Sequence, residues 1–180
     1  MQSLIKDHYQ YRHKNLLNTY DWVPFNIVEI SLKGLIHTYL PMEKVKTYIH
    51  LAGSLDYSKS IEERESALIY LPVFYRIMNN LIKNMAEANS DEVHFYFDYN
   101  ADGFFIETKN RINNEQDLKK LSEKLSQIIL DEKDQRSGLG LESIHHLAIE
   151  CGGKFDFEIS SDIWVNRIHL PINKSSKKAA

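Results

Sequence analysis

The sequence predicts an α+β fold, a two-layer sandwich in which one mixed, mostly antiparallel sheet packs against helices on one face. Three observations support this prediction. Long segments carry apolar residues at helical spacing, shorter segments alternate apolar and polar residues, and tight polar turns join pairs of the alternating segments. Helices therefore interleave with antiparallel hairpins along the chain, which is the order typical of α+β proteins.

The composition is that of a soluble globular protein. At 180 residues the chain is long enough for one domain, or for one domain with an appendage. Its net charge of −3 gives no overall positive potential that would attract nucleic acid or an anionic membrane. No run of apolar residues approaches the length of roughly 18 that a membrane-spanning helix needs. Cys151 is the single cysteine, which excludes an internal disulfide and a thiolate metal cluster and favours a cytoplasmic location.

The first third of the chain predicts two helices and one strand. Residues 1–20 carry scattered apolar positions that are compatible with a helix, and a clearer apolar stripe begins at Val28 and ends before Pro41. The segment KVKTYIHL (44–51) alternates cleanly and predicts a strand. The polar segment AGSLDYSKSIEERE (52–65) is predicted to be a connection.

The rest of the chain predicts three more helices and two hairpins. A helix is expected from near Pro72, a residue that suits a first helical turn, through VFYRIMNNLIKNMAEAN. EVHFYFDY and GFFIETKN flank the turn NADG as one hairpin, and KFDFEIS and IWVNRIHLPI form another around SSD. The segment EQDLKKLSEKLSQIILDEKD is a charged amphipathic helix. After RSGLGL, a last helix runs to Cys151 and is capped by Gly152 and Gly153.

The turn RSGLGL (136–141) places two glycines just where this last helix is expected to begin. Glycine lacks a β-carbon, so its backbone can approach a bound group closely and adopt positive φ. The start of a helix presents unpaired N–H groups and a partial positive charge, which together suit a phosphate. On this turn alone, a plain loop-to-helix cap remains an equally good interpretation.

The helix predicted from Pro72 carries the asparagines Asn79, Asn80 and Asn84. Asn80 and Asn84 are four residues apart, so they lie on one face, one turn from each other. Asparagine is a poor helix former, and its carboxamide oxygen is a hard ligand suited to Mg²⁺. The pair therefore indicates a metal or ligand site, unless these residues sit at a helix boundary or on the wet face.

Taken together, the two features resemble the GHKL (Bergerat-fold) ATP-binding domain of bacterial sensor histidine kinases. The segment NLIKNMAEA (80–88) is similar to the N-box N-L-x-x-N-A-x-E-A, and RSGLGLESIHHLAIECGGKFDFEIS is similar to the second glycine box with its helix and hairpin. The resemblance covers roughly residues 22–172, which would form the ATP-binding domain. Residues 1–21 would then be an N-terminal helix at the end of a dimerisation hairpin, and residues 173–180 a disordered tail.

The resemblance implies roles for individual residues toward ATP and Mg²⁺. The amide oxygen of Asn84 would bind the Mg²⁺ that bridges the phosphates, and Asn80 would line the phosphate side of the pocket. Residues 113–135 would form a mobile lid over the nucleotide. Further contacts to ATP would come from the glycine turn: Arg136, Ser137, Gly138, Leu139, Gly140 and Leu141.

Two positions depart from the patterns of the wider family. The first glycine box, D-x-G-x-G, normally supplies an aspartate to the adenine amine, but this chain reads Asn110-Arg111-Ile112-Asn113 there. Asn110 can accept a hydrogen bond from an exocyclic amine, although more weakly than a carboxylate. Asn80 occupies the position of the glutamate that acts as general base in gyrase and MutL relatives, and it cannot take a proton. The resemblance therefore favours phosphoryl transfer over ATP hydrolysis.

The implied function is a protein histidine kinase module that binds Mg-ATP and transfers the γ-phosphoryl group to a histidine. Its partners would be a phosphoacceptor histidine domain and a response regulator, and a homodimer fits this class. His13 matches the acceptor box poorly, so the acceptor is expected outside this chain. Of His145 and His146, one is expected at the core edge and the other in solvent.

Two alternatives stay open. The first is a degenerate GHKL domain that acts as a phosphotransferase or regulatory binding module without nucleotide turnover. The second is an anti-sigma-factor-type serine kinase, because those kinases are short free-standing domains of the same fold.

Overall fold

The computed structural model of the protein describes residues 22–41, 43–113, 119 and 139–171. The predicted N-terminal helix, most of the predicted lid, residues 136–138 of the glycine turn and the predicted tail lie outside the described residues. In chain order the elements are β1 (Trp22–Pro24), α1 (Phe25–Tyr39), β2 (Lys46–Gly53), α2 (Ile61–Glu65), β3 (Leu68–Tyr70), α3 (Leu71–Glu87), β4 (Glu92–Asn100), β5 (Gly103–Arg111), α4 (Leu139–Glu150), β6 (Lys154–Ser160) and β7 (Ile163–Leu170).

The main sheet of the described residues has five strands in the order β2-β4-β5-β7-β6. β2 runs parallel to β4, and the other three neighbouring pairs are antiparallel. A parallel pair needs a long crossover, which the chain between β2 and β4 supplies through α2, β3 and α3. The sheet confirms the predicted α+β fold with a mixed, mostly antiparallel sheet.

Three short elements were not predicted from the sequence. β1 and β3 form a separate two-stranded antiparallel sheet, and α2 lies within residues 52–65, which the sequence predicts to be a connection. A capping box begins α2, because the Ser60 side chain accepts from the Glu63 N–H and the Glu63 side chain accepts from the Ser60 N–H. Elements of three to five residues are too short to show a hydrophobic period, so the S-x-x-E signature was the available signal.

The helices lay their apolar stripes on the inner face of the sheet. Four rings meet there, and their centroids lie 5.4 Å apart for Phe25 and Phe97, 5.6 Å for Phe25 and Phe104, and 6.3 Å for Phe25 and Phe74. Such ring contacts add about 0.5–1.5 kcal/mol each to the burial energy. Other buried apolar residues of α1 and α3 follow the predicted helical period, including Val28, Leu32, Leu35, Ile36, Ile77, Met78, Leu81, Ile82 and Met85.

A buried carboxylate holds α1 against α2 and the segment before it. Glu29 is 6% exposed, and its carboxylate lies 2.8 Å from the Lys33 ammonium and 3.9 Å from the Arg64 guanidinium. The Tyr57 hydroxyl also donates to Glu29. Burial by itself would raise the pKa of Glu29, but the hydrogen bonds from Lys33 and Tyr57 and the nearby positive charges lower it overall.

α4 ends in a glycine cap that turns the chain into β6. The Gly152 N–H donates to the Ile149 carbonyl and the Gly153 N–H donates to the Ala148 carbonyl, both at 2.8 Å, and Gly152 has φ +72°. This pair of bonds is a Schellman motif, which confirms the predicted cap. A Cβ atom at Gly153 would lie 2.0 Å from the His169 carbonyl oxygen, so β6 can approach β7 only because residue 153 is glycine.

The expectation that one of His145 and His146 lies at the core edge is wrong, because both side chains are exposed. His146 Nε2 lies 3.7 Å from the Glu142 carboxylate, one turn earlier. The residues that α4 buries instead of the two histidines are Leu141, Ile144, Leu147 and Ala148.

Within the described residues, no helix has both the length and the apolar character needed to cross a bilayer.

Candidate functional site

The helix that carries the asparagines packs against the start of the helix that carries the glycines. α4 begins at Leu139, so Gly140 lies in its first helical turn, and not in a loop before the helix as the sequence suggested. A Cβ atom at Gly140 would lie 3.0 Å from Oδ1 and 3.3 Å from Nδ2 of Asn84. The structure therefore brings Asn84 of α3 into direct contact with Gly140 of α4.

The side-chain amide of Asn84 is only partly satisfied. Its Nδ2 atom is buried and has no hydrogen-bond partner among the described residues. A buried amide left in this state costs about 1–3 kcal/mol. The amide adjoins the first turn of α4, and backbone N–H groups in a first turn have no partner within the helix. A buried amide atom without a partner among the described residues thus lies beside backbone N–H groups that the helix itself does not pair, and such a place suits a ligand.

The other residues predicted to contact phosphate are only partly described. Asn80 is half-buried and lies one turn before Asn84 on α3. Leu141 is 7% exposed and belongs to the hydrophobic core, so only its backbone is available to a ligand. The backbone of Leu139 begins α4. Arg136, Ser137 and Gly138 lie outside the described residues.

Asn110, the predicted adenine acceptor, lies near the end of β5 on the inner face of the sheet and is 2% exposed. Its Nδ2 atom donates to Oγ of Ser90 at 2.9 Å. Its Oδ1 atom is buried and has no hydrogen-bond partner among the described residues. Ser90 therefore orients the amide so that a carbonyl oxygen remains available as an acceptor.

The chain after β5 is held in place up to the point where the predicted lid begins. The Ile112 N–H donates to the Asp162 carbonyl at 2.7 Å, and the Ile112 side chain is 3% exposed. The Asn113 side chain donates to the Asn89 carbonyl at 3.2 Å. These bonds tie the segment to the β6–β7 turn on one side and to the end of α3 on the other.

Sequence reasoning missed a second polar pair on the buried face of the sheet. Thr108 of β5 and Asn166 of β7 are paired across the strands and are 0% and 2% exposed. Nδ2 of Asn166 donates to Oγ1 of Thr108 at 3.2 Å. The available signal was the alternation itself, since Thr108 and Asn166 occupy inward positions in GFFIETKN and IWVNRIHLPI where an apolar residue is expected.

A cavity of about 350 Å³ opens on the opposite, outer face of the sheet. Asn84, Asn110 and Gly140 do not line it. The sheet separates this cavity from the helices, so it is not part of the candidate site. Its aromatic and imidazole lining comes from His50, Tyr96, Phe105 and His169.

The comparison with protein families identifies most of the chain. The family model described as the GHKL domain matches residues 68–171, which run from β3 to the end of β7. This range contains Asn84, Asn110 and Gly140. No curated protein matches the chain closely enough in sequence to count as a relative.

Solved structures of histidine kinases share the fold. The catalytic domain of histidine kinase ThkA, in a nucleotide-free form, has a TM-score of 0.60 at 14% identity, covering 83% of this chain and 95% of that chain. A second nucleotide-free form gives 0.59 at 15% identity, covering 83% and 94%. The Acinetobacter baumannii histidine kinase AdeS gives 0.57 at 14% identity, covering 85% and 67%. At identities this low, the structural similarity shows a common fold and nothing more.

Proposed function

The chain belongs to the GHKL domain family, and from that membership we propose that it binds Mg-ATP and transfers the γ-phosphoryl group to a histidine on a partner domain. One observation carries the proposal, namely that the Asn84 side chain contacts Gly140 while its buried Nδ2 atom has no hydrogen-bond partner among the described residues. The fold shared with histidine kinase catalytic domains supports the choice of reaction.

The chemistry of Asn84 fits magnesium better than a tightly ligated transition metal. The described residues contain no group of three or more His, Cys, Asp or Glu side chains that could hold a metal ion. Mg²⁺ keeps several waters and takes few protein ligands, so one amide oxygen together with phosphate oxygens is a suitable set. Bound there, Mg²⁺ would neutralise charge on the phosphates during transfer.

The remaining residues would bind and orient the nucleotide. Asn80 and the backbone N–H groups at Leu139, Gly140 and Leu141 would contact the phosphates, and the first turn of α4 would add a favourable dipole. From the undescribed part of the turn, Gly138 would add a backbone N–H, and Arg136 and Ser137 would add side-chain donors.

At the other end of the nucleotide, Asn110 would accept a hydrogen bond from the adenine amine. Asn80 cannot act as a general base, because an amide does not take a proton at neutral pH. We therefore propose phosphoryl transfer in preference to hydrolysis, with positioning and electrostatics supplying most of the catalysis. A phosphoacceptor histidine domain and a response regulator are the partners that this reaction needs, and the cytoplasm is the compartment that supplies ATP.

The test is a calorimetric titration with ATP, with and without Mg²⁺, on the wild type and on Asn84→Ala. We expect Mg²⁺-dependent binding that weakens by about 10- to 100-fold in the variant. Asn79→Ala is a matched control, because Asn79 lies about 140° around α3 from Asn84 and should not contact the ligand. Absence of both heat and a thermal shift in the wild type would refute the proposal.

A second function is favoured by one specific observation. The segment Asn110 to Asn113 contains no glycine and offers a neutral acceptor, which suits a GHKL domain that has lost nucleotide turnover. Such a protein would fold normally, bind no ATP and form a stable complex with a response regulator or a kinase. If ATP binds, the linkage formed on a partner separates the kinases, because phosphohistidine is labile in acid whereas phosphoserine, the product of an anti-sigma-factor-type serine kinase, is stable.

A further inference from the structure

Two histidines on the outer face of the sheet point their ring nitrogens at each other. Nε2 of His50 on β2 lies 3.3 Å from Nδ1 of His94 on β4. The two rings are nearly parallel, at 9°, and their centroids are 5.6 Å apart, so the rings meet edge to edge with these two nitrogens between them. Protein hydrogen bonds donated by N–H groups usually span about 2.7–3.2 Å, so this contact is long for a direct hydrogen bond.

A carboxylate fixes the tautomer of His94. Oε1 of Glu92 lies 2.9 Å from Nε2 of His94, so that nitrogen carries the proton that the carboxylate accepts. In the neutral ring Nδ1 then has no proton, and its lone pair faces His50. A carboxylate behind the far nitrogen of a histidine is the arrangement that orients histidines as metal ligands. His94 is therefore arranged to bind an ion through Nδ1.

Two tyrosines hold the imidazole rings in place. The ring of Tyr48 stacks on His94, with centroids 4.7 Å apart, and the ring of Tyr96 stacks on His50 at 4.3 Å. Strand pairing sets both contacts, because each tyrosine lies directly opposite its histidine on the neighbouring strand. Stacking opposes movement of a ring out of its plane but permits a tilt within the plane. The two nitrogens are thus held near each other before any ion binds.

We propose that Nε2 of His50 and Nδ1 of His94 bind one zinc ion on the outer face of the sheet, with Glu92 as the residue that positions His94. Ligands about 2.0–2.1 Å from a tetrahedral zinc ion are about 3.3–3.4 Å apart, which matches the observed spacing. A square-planar copper ion would need neighbouring nitrogens about 2.8 Å apart. To bind zinc, His50 takes the tautomer that carries its proton on Nδ1 and leaves Nε2 unprotonated.

The zinc ion would have two protein ligands. No group of three or more His, Cys, Asp or Glu side chains among the described residues could hold a metal ion, so water completes the coordination. We therefore expect exchangeable zinc with micromolar affinity, unlike the closed four-ligand sites that stabilise folds. The sheet separates this site from Asn84 and Gly140, so the inference does not depend on the proposed nucleotide binding.

The test is a calorimetric titration of the whole chain with zinc chloride, with Mg²⁺ in excess so that the proposed magnesium position does not contribute. His50→Ala and His94→Ala each remove one ligand, and each should weaken zinc binding by at least about tenfold. Glu92→Ala should weaken it by about tenfold. Glu92→Gln, which keeps an oxygen that can accept from Nε2, should restore part of that loss.

His146→Ala is the matched control. His146 is also exposed and also lies near a carboxylate, with Nε2 3.7 Å from Glu142. It belongs to α4, on the other side of the sheet, so its removal should leave the zinc affinity unchanged.

Nitrogen-15 NMR of the histidine rings identifies the ligand atoms directly. In the wild type, zinc should shift the resonances of Nε2 in His50 and Nδ1 in His94. The inference is overturned if the wild type binds no zinc, if both histidine variants bind zinc as tightly as the wild type, or if His94 binds through Nε2. If thermal melting shows that a histidine variant does not fold, the ring spectra of the wild type decide. A wild type that binds zinc but no nucleotide would refute the proposed function and support this inference.

Discussion

Replacing Gly140 with alanine tests the contact on which the candidate site depends. The new Cβ atom would lie 3.0 Å from Oδ1, 3.3 Å from Nδ2 and 3.5 Å from Cγ of Asn84. Contacts of 3.0 and 3.3 Å are tighter than nearly all Cβ contacts in proteins, so the amide must move by a few tenths of an ångström. Because alanine is a better helix former than glycine by about 0.5–1 kcal/mol, the fold should lose little net stability.

The effect on ligand binding should be much larger than the effect on stability. A residue that holds a metal must keep its position to within about half an ångström, and disturbing the support of a ligand costs about 10- to 100-fold in affinity. We therefore expect Gly140→Ala to melt within a few degrees of the wild type while its affinity for Mg-ATP falls by that factor. Thermal melting and calorimetric titration measure the two quantities separately.

Gly34→Ala provides the control for this experiment. Gly34 lies within α1, and a Cβ atom there would meet nothing within 4 Å. The substitution should stabilise the protein by about 0.5–1 kcal/mol and leave nucleotide binding unchanged. If Gly140→Ala binds Mg-ATP as tightly as the wild type does, Asn84 is not placed at the metal by its contact with α4, and the reasoning is refuted.

Two further predictions concern stability. The pKa of Glu29 is lower in the folded protein than its ordinary value of 4.5. Its ionised carboxylate therefore contributes fully to the free energy of unfolding at a pH above 4.5. That contribution is lost as the pH falls through the lowered pKa of the folded state. Glu29→Gln, which keeps the shape but removes the charge that faces Lys33, should therefore lower the urea midpoint at neutral pH and flatten its decline in acid; an unchanged acid profile would contradict this. Gly153→Ala should destabilise by about 1–3 kcal/mol, because its Cβ atom would lie 2.0 Å from the His169 carbonyl oxygen. Chemical denaturation measures this cost, and a midpoint equal to that of the wild type would show that β6 can move away.

Long periodic elements were predictable because each carries its own pattern. The stripe of α3 begins near Pro72 and repeats over roughly four turns, and the alternation on either side of NADG marks β4 and β5. β1, β3 and α2 were missed because their few residues cannot display a period. Their positions depend on neighbours that are distant in sequence, as in the pairing of Trp22 with Tyr70.

The candidate site divides in the same way. The order of the asparagine helix and the glycine turn was readable along the chain, and the family match later included both. The start of α4 at Leu139 was not readable, because helix boundaries are set by local geometry that single residues only bias. The exposed pair at His145 and His146 was mispredicted, because the face that α4 buries depends on how it crosses α3 and the sheet.

The sequence by itself determined the fold class, the positions of the long elements and the residue types available to hold phosphate and metal. Those properties are local, since they follow from periodicity, glycine and the chemistry of the amide. Only the tertiary structure decided that Asn84 contacts Gly140, that Ser90 orients Asn110 and that Thr108 orients Asn166. These are contacts between residues 20 to 58 positions apart, and such contacts exist only after the strands have paired and the helices have packed on them.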